Sequence, residues 1–481
     1  MSYRIAFILA LAVCLRIPPL FSELWLDEVW WLNLVKQANS PFEIVTALTD
    51  VGNHLLYTFY LYAFRNVESE VLLRLPSFIC GILSVLLISQ LTQEKGGILA
   101  LVPATLFACS SFFTLYATEA RGYAVMVFLA LLALYLLERL QRTASRALEY
   151  LLSAVLILGM LAQLIFVLWI VALLIYSAYL GATNGRGKRG ALSYLLPFTL
   201  PMLFSILLYI CFIRNLSSTS GSQSAYLPAL LETVSVGLSG QTLTPSNSSM
   251  IPLVLFLALT VLLVVVFEIR TLYAERNPRW ILYLATMTLF PAAAFVLAQG
   301  SPLYPRYFCL ALAILYLLIG GFLQRASKQR IANLLRAIFI VIFLSGNGVT
   351  LFQMARYGRG DYAAALRYIS AHSAQQVVTI SGDHPVRHPL LIRYYQREAP
   401  QKEFVYVADG DMKSSASPHW YFLHYEDPGW TPPASVTSAF GNYRFDSVYR
   451  YSGFLSGWNL GVYKAQLRDA DLSPEQILPG S

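Results

Sequence analysis

Two adjacent carboxylates, Asp27 and Glu28, follow the first apolar stretch of the chain in the segment SELWLDE. A carboxylate at a membrane–water interface can take a proton from an acceptor hydroxyl, or it can coordinate a divalent ion. The alternative is a solvated helix face that begins at Ser22 as its cap. Taken alone, the pair favours this structural alternative, so its chemistry depends on what lies at the same depth in the membrane.

Three arginines stand at the ends of other apolar stretches. Arg121 lies in YATEARGY, Arg306 in YPRYF and Arg74 in LRLPS. The guanidinium group is a planar fork of N–H donors that suits a phosphate. Each arginine alone is equally well explained by snorkelling, in which the apolar stem lies along lipid and the charge reaches water. Arg121 has a further structural explanation as the partner of Glu119 within one loop.

Other residues near these segments are candidates for contact with a substrate. His54 follows Asn53 at the start of a short apolar stretch, where a lone histidine is more often structural than functional. Three further candidate substrate contacts lie one or two positions from an arginine, namely Glu119, Tyr123 and Tyr307. The six histidines show no metal-ligand spacing, which predicts no histidine metal site. The sequence also lacks the phosphate-binding loop of ATPases and the glycine motif of dinucleotide-binding folds.

The composition indicates that lipid is the main solvent of the chain. Of its 481 residues, 57% are hydrophobic and only 12% are charged, whereas soluble domains carry about 25% charged residues. The formal net charge of +8 is spread over short loops, so it does not form a nucleic-acid footprint. We therefore predict a multi-pass protein of the plasma (inner) membrane, with no nucleic-acid partner.

A helix needs about 20 apolar residues to cross the hydrocarbon core. Eleven stretches meet this need, and they lie at roughly 4–21, 75–92, 97–116, 122–138, 148–164, 165–182, 191–213, 250–269, 280–299, 306–323 and 331–352. Four of the segments between them are rich in lysine and arginine, at 138–146, 185–190, 268–279 and 324–330. Because such segments stay in the cytoplasm, eleven spans with an inside N-terminus satisfy all four.

This topology divides the chain into two predicted domains. Residues 1–352 form an all-α polytopic membrane domain, which includes an outer loop at 22–74 with interfacial helices. The apolar stretch 55–64 is too short to span comfortably and is expected to lie in the interface. Residues 353–481 form a small α/β domain on the outer face. Its pattern predicts helices over 361–369 and 387–395 and strands over 376–381, 403–407, 419–425 and 458–465.

The same topology places the acidic pair and the three arginines at one depth, on the outer side of the membrane. Ionisable residues are costly at membrane depth and mark functional sites when they occur there. One acidic pair with several arginines is a sensible site for an anionic lipid phosphate and a sugar.

The order of these motifs resembles the polytopic C-type glycosyltransferase superfamily, in particular the bacterial branch related to protein O-mannosyltransferases and aminoarabinose transferases. The motifs are LWLDE, NHLLYTFYLY, LLRLPSFICGILSVLL, YATEARGYA and YPRYF, over roughly residues 1–330. The resemblance implies a polyprenyl-phosphate sugar as donor and Asp27 as the catalytic residue in the first outer loop. Relatives usually carry a proline pair after the position of His54, where this chain has Leu55-Leu56, so the implication for His54 is weaker.

The implied reaction is a single displacement with inversion at the anomeric carbon. Asp27, with Glu28 beside it, deprotonates or orients the acceptor, which is a protein, a lipid or a polysaccharide. Arg121 and Arg306, with Arg74, stabilise the departing polyprenyl phosphate. No cofactor is required, although a divalent cation is compatible with the carboxylates.

Two other function classes remain open. A flippase or transporter of lipid-linked sugars also has many spans, but it should show ionisable residues or broken helices at mid-membrane, and the predicted spans carry almost no charge there. An assembly or scaffold protein gives the carboxylates and arginines no purpose. Convergence of Asp27, Arg121 and Arg306 on one cavity would favour the enzyme.

Overall fold

A computed structural model describes the chain from Tyr3 to Gln466, apart from eleven internal segments. These are residues 50–51, 93–97, 144, 185–193, 217–225, 243–249, 298–302, 326–329, 411–416, 426–429 and 451–458. Internal contacts divide the chain into two units. The first comprises Met1–Phe21 and Trp31–Phe352, and the second comprises Ser22–Trp30 and Gln353–Ser481.

The described chain up to Tyr357 is almost entirely helical. Its α-helices are α1 (Tyr3–Leu20), α2 (Leu26–Gln37), α3 (Glu43–Thr46), α4 (Leu55–Ala63), α5 (Glu70–Thr92), α6 (Val102–Cys109), α7 (Ser111–Ala117), α8 (Tyr123–Arg142), α9 (Arg146–Ala162), α10 (Phe166–Asn184), α11 (Leu196–Cys211), α12 (Tyr226–Ser239), α13 (Ile251–Ala274), α14 (Arg279–Leu297), α15 (Cys309–Gln324) and α16 (Arg330–Tyr357).

The helices confirm the predicted polytopic membrane fold. Among the described residues, nine helical segments are long and apolar enough to cross a membrane, namely α1, α5, α8, α10, α11 with the 3₁₀ turn after it, α13, α14, α15 with the turn before it, and α16. The two remaining predicted spans are the 17-residue helix α9 and the run 97–116, which is broken into α6 and α7. The chain is therefore an integral membrane protein.

The break in the run 97–116 falls at Ser110, and both sides of it are hydrogen-bonded. Arg16, fully buried in α1, donates to Ala108 O at 3.1 Å and to Phe107 O at 3.4 Å. These carbonyls end α6, where a cation is favourable. On the other side, the Ser110 hydroxyl accepts from Phe113 N and so caps α7. This broken helix and buried charge were not expected from the sequence.

Helix α4 occupies the apolar stretch 55–64. Its nine residues span roughly 14 Å at 1.5 Å per residue, less than half the thickness of a hydrocarbon core. The short length is in keeping with the expectation that this stretch does not cross the membrane as a single helix.

The second unit is a small mixed α/β fold, as predicted. It contains α17 (Tyr362–His372), α18 (Arg387–Tyr395) and a six-stranded sheet. The strands are β1 (Val377–Gly382), β2 (Glu403–Tyr406), β3 (Trp420–Tyr425), β4 (Ser435–Ser438), β5 (Gly441–Arg450) and β6 (Asn459–Ala465), in the spatial order β2-β1-β3-β6-β5-β4.

The sheet is parallel on one side and antiparallel on the other. Strand β1 pairs in parallel with both β2 and β3, and β6 pairs antiparallel with β3 and β5. The sequence did not predict β4 and β5, whose alternating residues are largely exposed or half-buried. The segment Ser22–Trp30 belongs by its contacts to this unit, whereas the sequence analysis placed the whole loop 22–74 with the membrane domain.

Candidate functional site

Arg121 and Arg306, which lie 185 positions apart in the sequence, act on one tyrosine of the first unit. Tyr123 is buried at the start of α8, and the charges of both arginines act on its hydroxyl. The Arg121 guanidinium lies 5.2 Å from the centre of the Tyr123 ring. The charges of the two arginines that the sequence predicted to share a membrane depth therefore act on the same side chain.

The Arg306 side of this cluster is formed by a 3₁₀ turn, Pro305–Phe308, just before α15. Proline at the first position of such a turn fixes its backbone angle. The Arg306 guanidinium lies 4.3 Å from the ring centre of Tyr304 and 5.9 Å from that of Tyr307. Cation–π contacts of this length hold a guanidinium over an aromatic ring.

Glu119 and Tyr116 complete the cluster from the end of α7. Glu119 is almost fully buried, and its charge acts together with that of Arg306 on the Tyr116 hydroxyl. The rings of Tyr116 and Tyr123 are 5.1 Å apart. The charges of two arginines and one carboxylate thus act on this pair of buried tyrosines, and the net positive charge of these groups favours an anion.

The turn that presents Arg121 requires a glycine at the next position. A Cβ on Gly122 would lie 2.3 Å from Ala162 O and 3.0 Å from His54 Nδ1. His54 Nδ1 is 3.2 Å from Ala162 O, and its ring meets that of Tyr123 edge to face at 4.8 Å. His54 therefore belongs to the arginine–tyrosine cluster, where its position is fixed by a backbone carbonyl.

Arg74 lies on the face of α5 that adjoins the same turn. It is fully buried and donates to Leu20 O at 3.2 Å. Ser77, one turn further along α5 on the same face, donates to Arg121 O at 2.9 Å. The first unit therefore brings Arg121, Arg306, Glu119, His54, Tyr123 and Tyr307 together, and it places Arg74 one helical turn from the Arg121 backbone.

The two predicted catalytic carboxylates lie in the second unit, in the first turn of α2, and they differ in their surroundings. Glu28 is buried, and its carboxylate accepts from Trp25 N at 2.8 Å. This contact, from the third helical residue back to the residue that precedes the helix, is half of a capping box. Asp27 is only half-buried. The structure therefore gives Glu28 a helix-capping role and leaves Asp27 as the better candidate for the reaction.

Glu23, which the sequence analysis did not select, fixes the segment that carries Asp27. Its carboxylate accepts from Tyr362 N at 2.8 Å and from Ala363 N at 3.0 Å, at the start of α17. The first N–H groups of a helix have no partner within the helix and attract negative charge. Glu23 thus caps a helix that lies about 340 residues further along the chain.

The residues beside Glu23 are held by the same unit. Leu24 O accepts from the Tyr395 hydroxyl at 3.1 Å. The guanidinium groups of Arg359 and Arg387 lie 4.9 Å and 5.5 Å from the centre of the Trp25 ring. Each of these contacts joins residues more than 300 positions apart, so no local sequence signal could have revealed them.

The second unit also holds an acidic residue with a shifted pKa, directly before α17, the helix that Glu23 caps. Burial raises the pKa of Asp361, the residue before α17, to about 6, although Arg367 acts to lower it. Asp361 was predicted as the first residue of a helix and was assigned no chemistry. The signal that could have selected it is its place directly after Gly360 at the start of that predicted helix, where acidic residues are often found.

One group of metal-ligating side chains stands out in the described part of the chain: Asp383, His388 and His424. Burial lowers the pKa of His424 to about 3 and also lowers the pKa of His388. For Asp383, burial acts to raise the pKa, but the His388 imidazole at 2.9 Å and the more distant His424 imidazole at 3.8 Å outweigh burial and lower the pKa. The three residues therefore pair neutral imidazoles with a carboxylate at neutral pH.

Comparison with known proteins gives structural neighbours only. No protein-family model and no curated protein matches the sequence. The chain is similar to the oligosaccharyltransferase of Archaeoglobus fulgidus in the apo form, with a TM-score of 0.47 and 10% identity over 84% of this chain and 64% of that one. It is also similar to ArnT of Cupriavidus metallidurans bound to undecaprenyl phosphate, with a TM-score of 0.49 and 13% identity over 95% of this chain and 97% of that one.

Both neighbours are C-type glycosyltransferases, the superfamily that the sequence motifs resemble. A further structure of the archaeal enzyme, in complex with an inhibitory peptide and a dolichol-phosphate, has a TM-score of 0.44 and 10% identity. The chain spans 64% of the length of the archaeal oligosaccharyltransferase.

Proposed function

We propose that this chain is a glycosyltransferase that moves a sugar from a polyprenyl-phosphate-linked donor to an acceptor, with inversion at the anomeric carbon. The observation that carries the proposal is the buried Tyr123, whose ring centre lies 5.2 Å from the Arg121 guanidinium and on which the charge of Arg306 also acts. Two guanidinium groups in a water-poor site form a receptor for a phosphate.

The arginines serve the leaving group. When the bond between the anomeric carbon and the phosphate oxygen breaks, the polyprenyl phosphate keeps the electron pair and its negative charge grows. Cations that are already in place stabilise this charge without reorganisation, and their effect is larger in a low dielectric. Arg121, Arg306 and Arg74 take this role. The Arg121 guanidinium is held by the ring of Tyr123, and the Arg306 guanidinium by the ring of Tyr307.

Asp27 serves the acceptor. Its carboxylate takes the proton of the acceptor nucleophile, which then attacks the anomeric carbon from the side opposite the phosphate. Glu28 holds the first turn of α2 through its bond to Trp25 N, and Glu23 holds the preceding residues at α17. These two glutamates therefore position Asp27 and do not take part in proton transfer.

The reaction takes place at the outer face of the inner membrane in this proposal. The support is the positive-inside rule, applied to the basic segments 138–146, 185–190, 268–279 and 324–330. The membrane domain then extends over 1–352, with a soluble outer domain over 353–481, and α4 lies in the interface.

The test uses purified full-length protein in lipid nanodiscs with a panel of polyprenyl-phosphate hexoses and pentoses labelled in the sugar. The expected result is release of polyprenyl phosphate together with label on an acceptor from a membrane extract, both abolished by Asp27→Asn. Separate protein, glycolipid and polysaccharide fractions identify the acceptor class. Absence of bond cleavage with every donor would overturn the proposal.

The same purified protein, reconstituted in proteoliposomes, distinguishes a transferase from a flippase. The break at Ser110 and the buried Arg16 are features that a transporter would show at mid-membrane, but here Arg16 donates to the carbonyls that end α6. In proteoliposomes, a flippase moves a fluorescent lipid-linked sugar between leaflets without cleaving it. Movement without cleavage would replace the transferase proposal.

A further inference from the structure

The side chains of Asp383, His388 and His424 meet at one edge of the sheet in the second unit. Asp383 directly follows β1, His388 lies in the first turn of α18, and His424 lies near the end of β3. Strands β1 and β3 are parallel neighbours, so their carboxyl ends lie side by side. These three residues belong to none of the motifs that carry the proposed glycosyl transfer.

The position is one at which α/β sheets commonly bind ligands. From β1 the chain passes through α18 to β2 on one side, and it then returns to pair with the other side of β1 as β3. The order of the strands therefore reverses between β1 and β3. Crevices outside the carboxyl ends of parallel strands at such a reversal are the usual ligand sites of open α/β sheets.

The distances among the three side chains suit a transition metal. Asp383 Oδ1 lies 2.9 Å from His388 Nε2 and 3.8 Å from His424 Nδ1. Ligand atoms bound tetrahedrally to zinc at 2.0–2.1 Å are separated by about 3.4 Å, a value between these two distances. All three ligand atoms lie within 4.8 Å of one another. The stacked imidazole rings, 4.7 Å apart, need only tilt towards each other for both nitrogens to reach one ion.

The groups around the three side chains hold them in the orientation that a metal requires. The Tyr362 hydroxyl lies 3.2 Å from His388 Nδ1 and 3.0 Å from His424 Nε2, which are the ring nitrogens on the far side from Asp383. A hydroxyl oxygen has two lone pairs and can accept from both N–H groups. A metal ion that replaces the proton between His388 Nε2 and Asp383 would select the tautomer in which both outer nitrogens carry the proton, and both rings would then direct a lone pair towards the ion. A hydrogen bond to the outer ring nitrogen is the usual support of a metal-bound histidine.

The backbone supports the same arrangement. Asp383 Oδ2 accepts from His424 N at 3.1 Å, which orients the carboxylate with Oδ1 towards the rings. A Cβ on Gly382 would lie 2.7 Å from His388 Nε2, so this residue must be glycine for the ring to approach β1. One opposing charge is close, because Arg387 acts on both histidines. Its guanidinium also lies 5.5 Å from the Trp25 ring centre.

We propose that Asp383, His388 and His424 bind one divalent transition-metal ion of the zinc class, with water or an exogenous ligand in the fourth position. Two imidazoles with one carboxylate favour zinc over magnesium or calcium. Asp383 is about one-third exposed whereas both rings are buried, so the fourth position faces the accessible side. This site was not predicted from the sequence, because its ligands have no motif spacing.

The ion also connects to the segment that carries Asp27. Tyr362, whose hydroxyl contacts both rings, donates its backbone N–H to Glu23. Metal binding fixes the Tyr362 side chain and, through it, the start of α17. The ion is therefore expected to make the segment Ser22–Trp30 more rigid, whatever reaction the protein catalyses.

The test uses the full-length protein, purified with a histidine-free affinity tag and stripped with a chelator. Zinc is measured by elemental analysis before stripping, and the stripped protein is titrated with Co²⁺ while its visible absorption is recorded. The expected result is one ion per chain, with the absorption of a four-coordinate N/O site. Asp383→Asn, His388→Ala and His424→Ala should each abolish this uptake. His372→Ala, which alters an exposed histidine of α17, should leave it unchanged.

Tyr362→Phe separates a supported metal site from a set of histidines that merely share a proton with Asp383. It keeps the ring and removes the hydroxyl, so metal affinity should fall by about 10–100-fold while the stoichiometry stays at one. Asp383→Asn keeps the size of a partly exposed side chain, so this variant should fold and still tests the site if the histidine variants misfold. Wild-type uptake no greater than that of folded Asp383→Asn would overturn the proposal and leave a proton-linked hydrogen-bond network.

Discussion

The arginine cluster of the first unit and the Asp27 segment of the second are held in place by different interactions. Arg121 and Arg306 are fixed by packing, since their guanidinium groups lie over tyrosine rings and a glycine admits the turn between α7 and α8. The Asp27 segment is fixed by carboxylates that cap helices, with Glu28 on its own helix and Glu23 on α17.

The difference has a consequence for what mutations do. A buried cation that loses its packing leaves a charge in an apolar bundle, so it affects binding and folding together. A capping carboxylate contributes one or two hydrogen bonds at a helix end, so its loss is modest and local. The effects of substitutions in the two regions should therefore differ in size. Within the Asp27 segment, loss of the catalytic group should lower turnover strongly, whereas loss of a capping group should mainly lower local stability.

The largest expected effect is that of Asp27→Asn. The amide keeps the size of the side chain and removes its basicity, and general base catalysis contributes about 10²–10⁴-fold. Turnover of a polyprenyl-phosphate sugar should fall by that factor, while donor binding and thermal stability in detergent stay near those of the wild type. A variant that retains more than a tenth of wild-type turnover would remove Asp27 from the reaction.

The arginine cluster comes next. Arg121→Lys and Arg306→Lys should each lower turnover by roughly 10²–10³-fold and weaken donor binding, because an ammonium cannot reproduce a bidentate fork. If both bind one phosphate, the double variant should lose much less than the product of the single losses. The measurements are binding of labelled polyprenyl phosphate and initial rates.

Arg139→Lys is the matched control for these variants. Arg139 lies at the other end of the same helix α8, over the ring of Tyr135 at 5.5 Å, and it is exposed. It should accept lysine without loss. Mild and additive effects at Arg121 and Arg306, equal to that at Arg139, would identify the two arginines as anchors at the membrane surface.

The membrane fold was largely predictable, for a physical reason. Lipid provides no hydrogen-bond partners, so spans must be long apolar helices that a sequence displays directly. Charge bias predicted Arg121 and Arg306 at one depth. Depth alone, however, could not identify Tyr123 as the side chain on which both charges act, because that depends on how α8 packs against α15.

The support of the Asp27 segment was not predictable from the sequence. Glu23 bonds to residues 339 and 340 positions away, and no local pattern encodes such a contact. The same holds for Asp383 and His424, which meet because β3 returns to the free side of β1. In both cases the information lies in tertiary topology, which a motif search does not read.

The third prediction concerns Glu23, whose removal should loosen the segment that carries Asp27 without removing a catalytic group. Glu23→Ala removes a carboxylate that accepts two N–H groups of α17, at a cost of about 0.5–2 kcal/mol in the free energy of unfolding. Turnover should fall by about tenfold or less, with unchanged donor binding. Hydrogen exchange should increase at the start of α17.

A second glutamate of the same loop is the control for Glu23. Glu43 accepts from Asn39 N in a local turn, so Glu43→Ala removes a charge and a cap but leaves α17 intact. Exchange at α17 should then match the wild type. Equal protection of α17 in Glu23→Ala and Glu43→Ala would contradict the proposed support.

The smallest expected effect concerns Glu28, and it tests most directly whether two adjacent carboxylates have separate roles. Glutamine in the third helical position also completes a capping box, so Glu28→Gln should keep the bond to Trp25 N and leave turnover within about twofold of wild type, a difference of only a few tenths of a kcal/mol. Glu28→Ala loses this bond and should cost about 1 kcal/mol of stability. If Glu28 shared the catalytic role, Glu28→Gln would instead abolish turnover, as Asp27→Asn does, although it keeps the cap. Initial rates of Glu28→Gln beside Asp27→Asn, under one set of conditions, decide whether this turn of α2 carries one catalytic carboxylate or two.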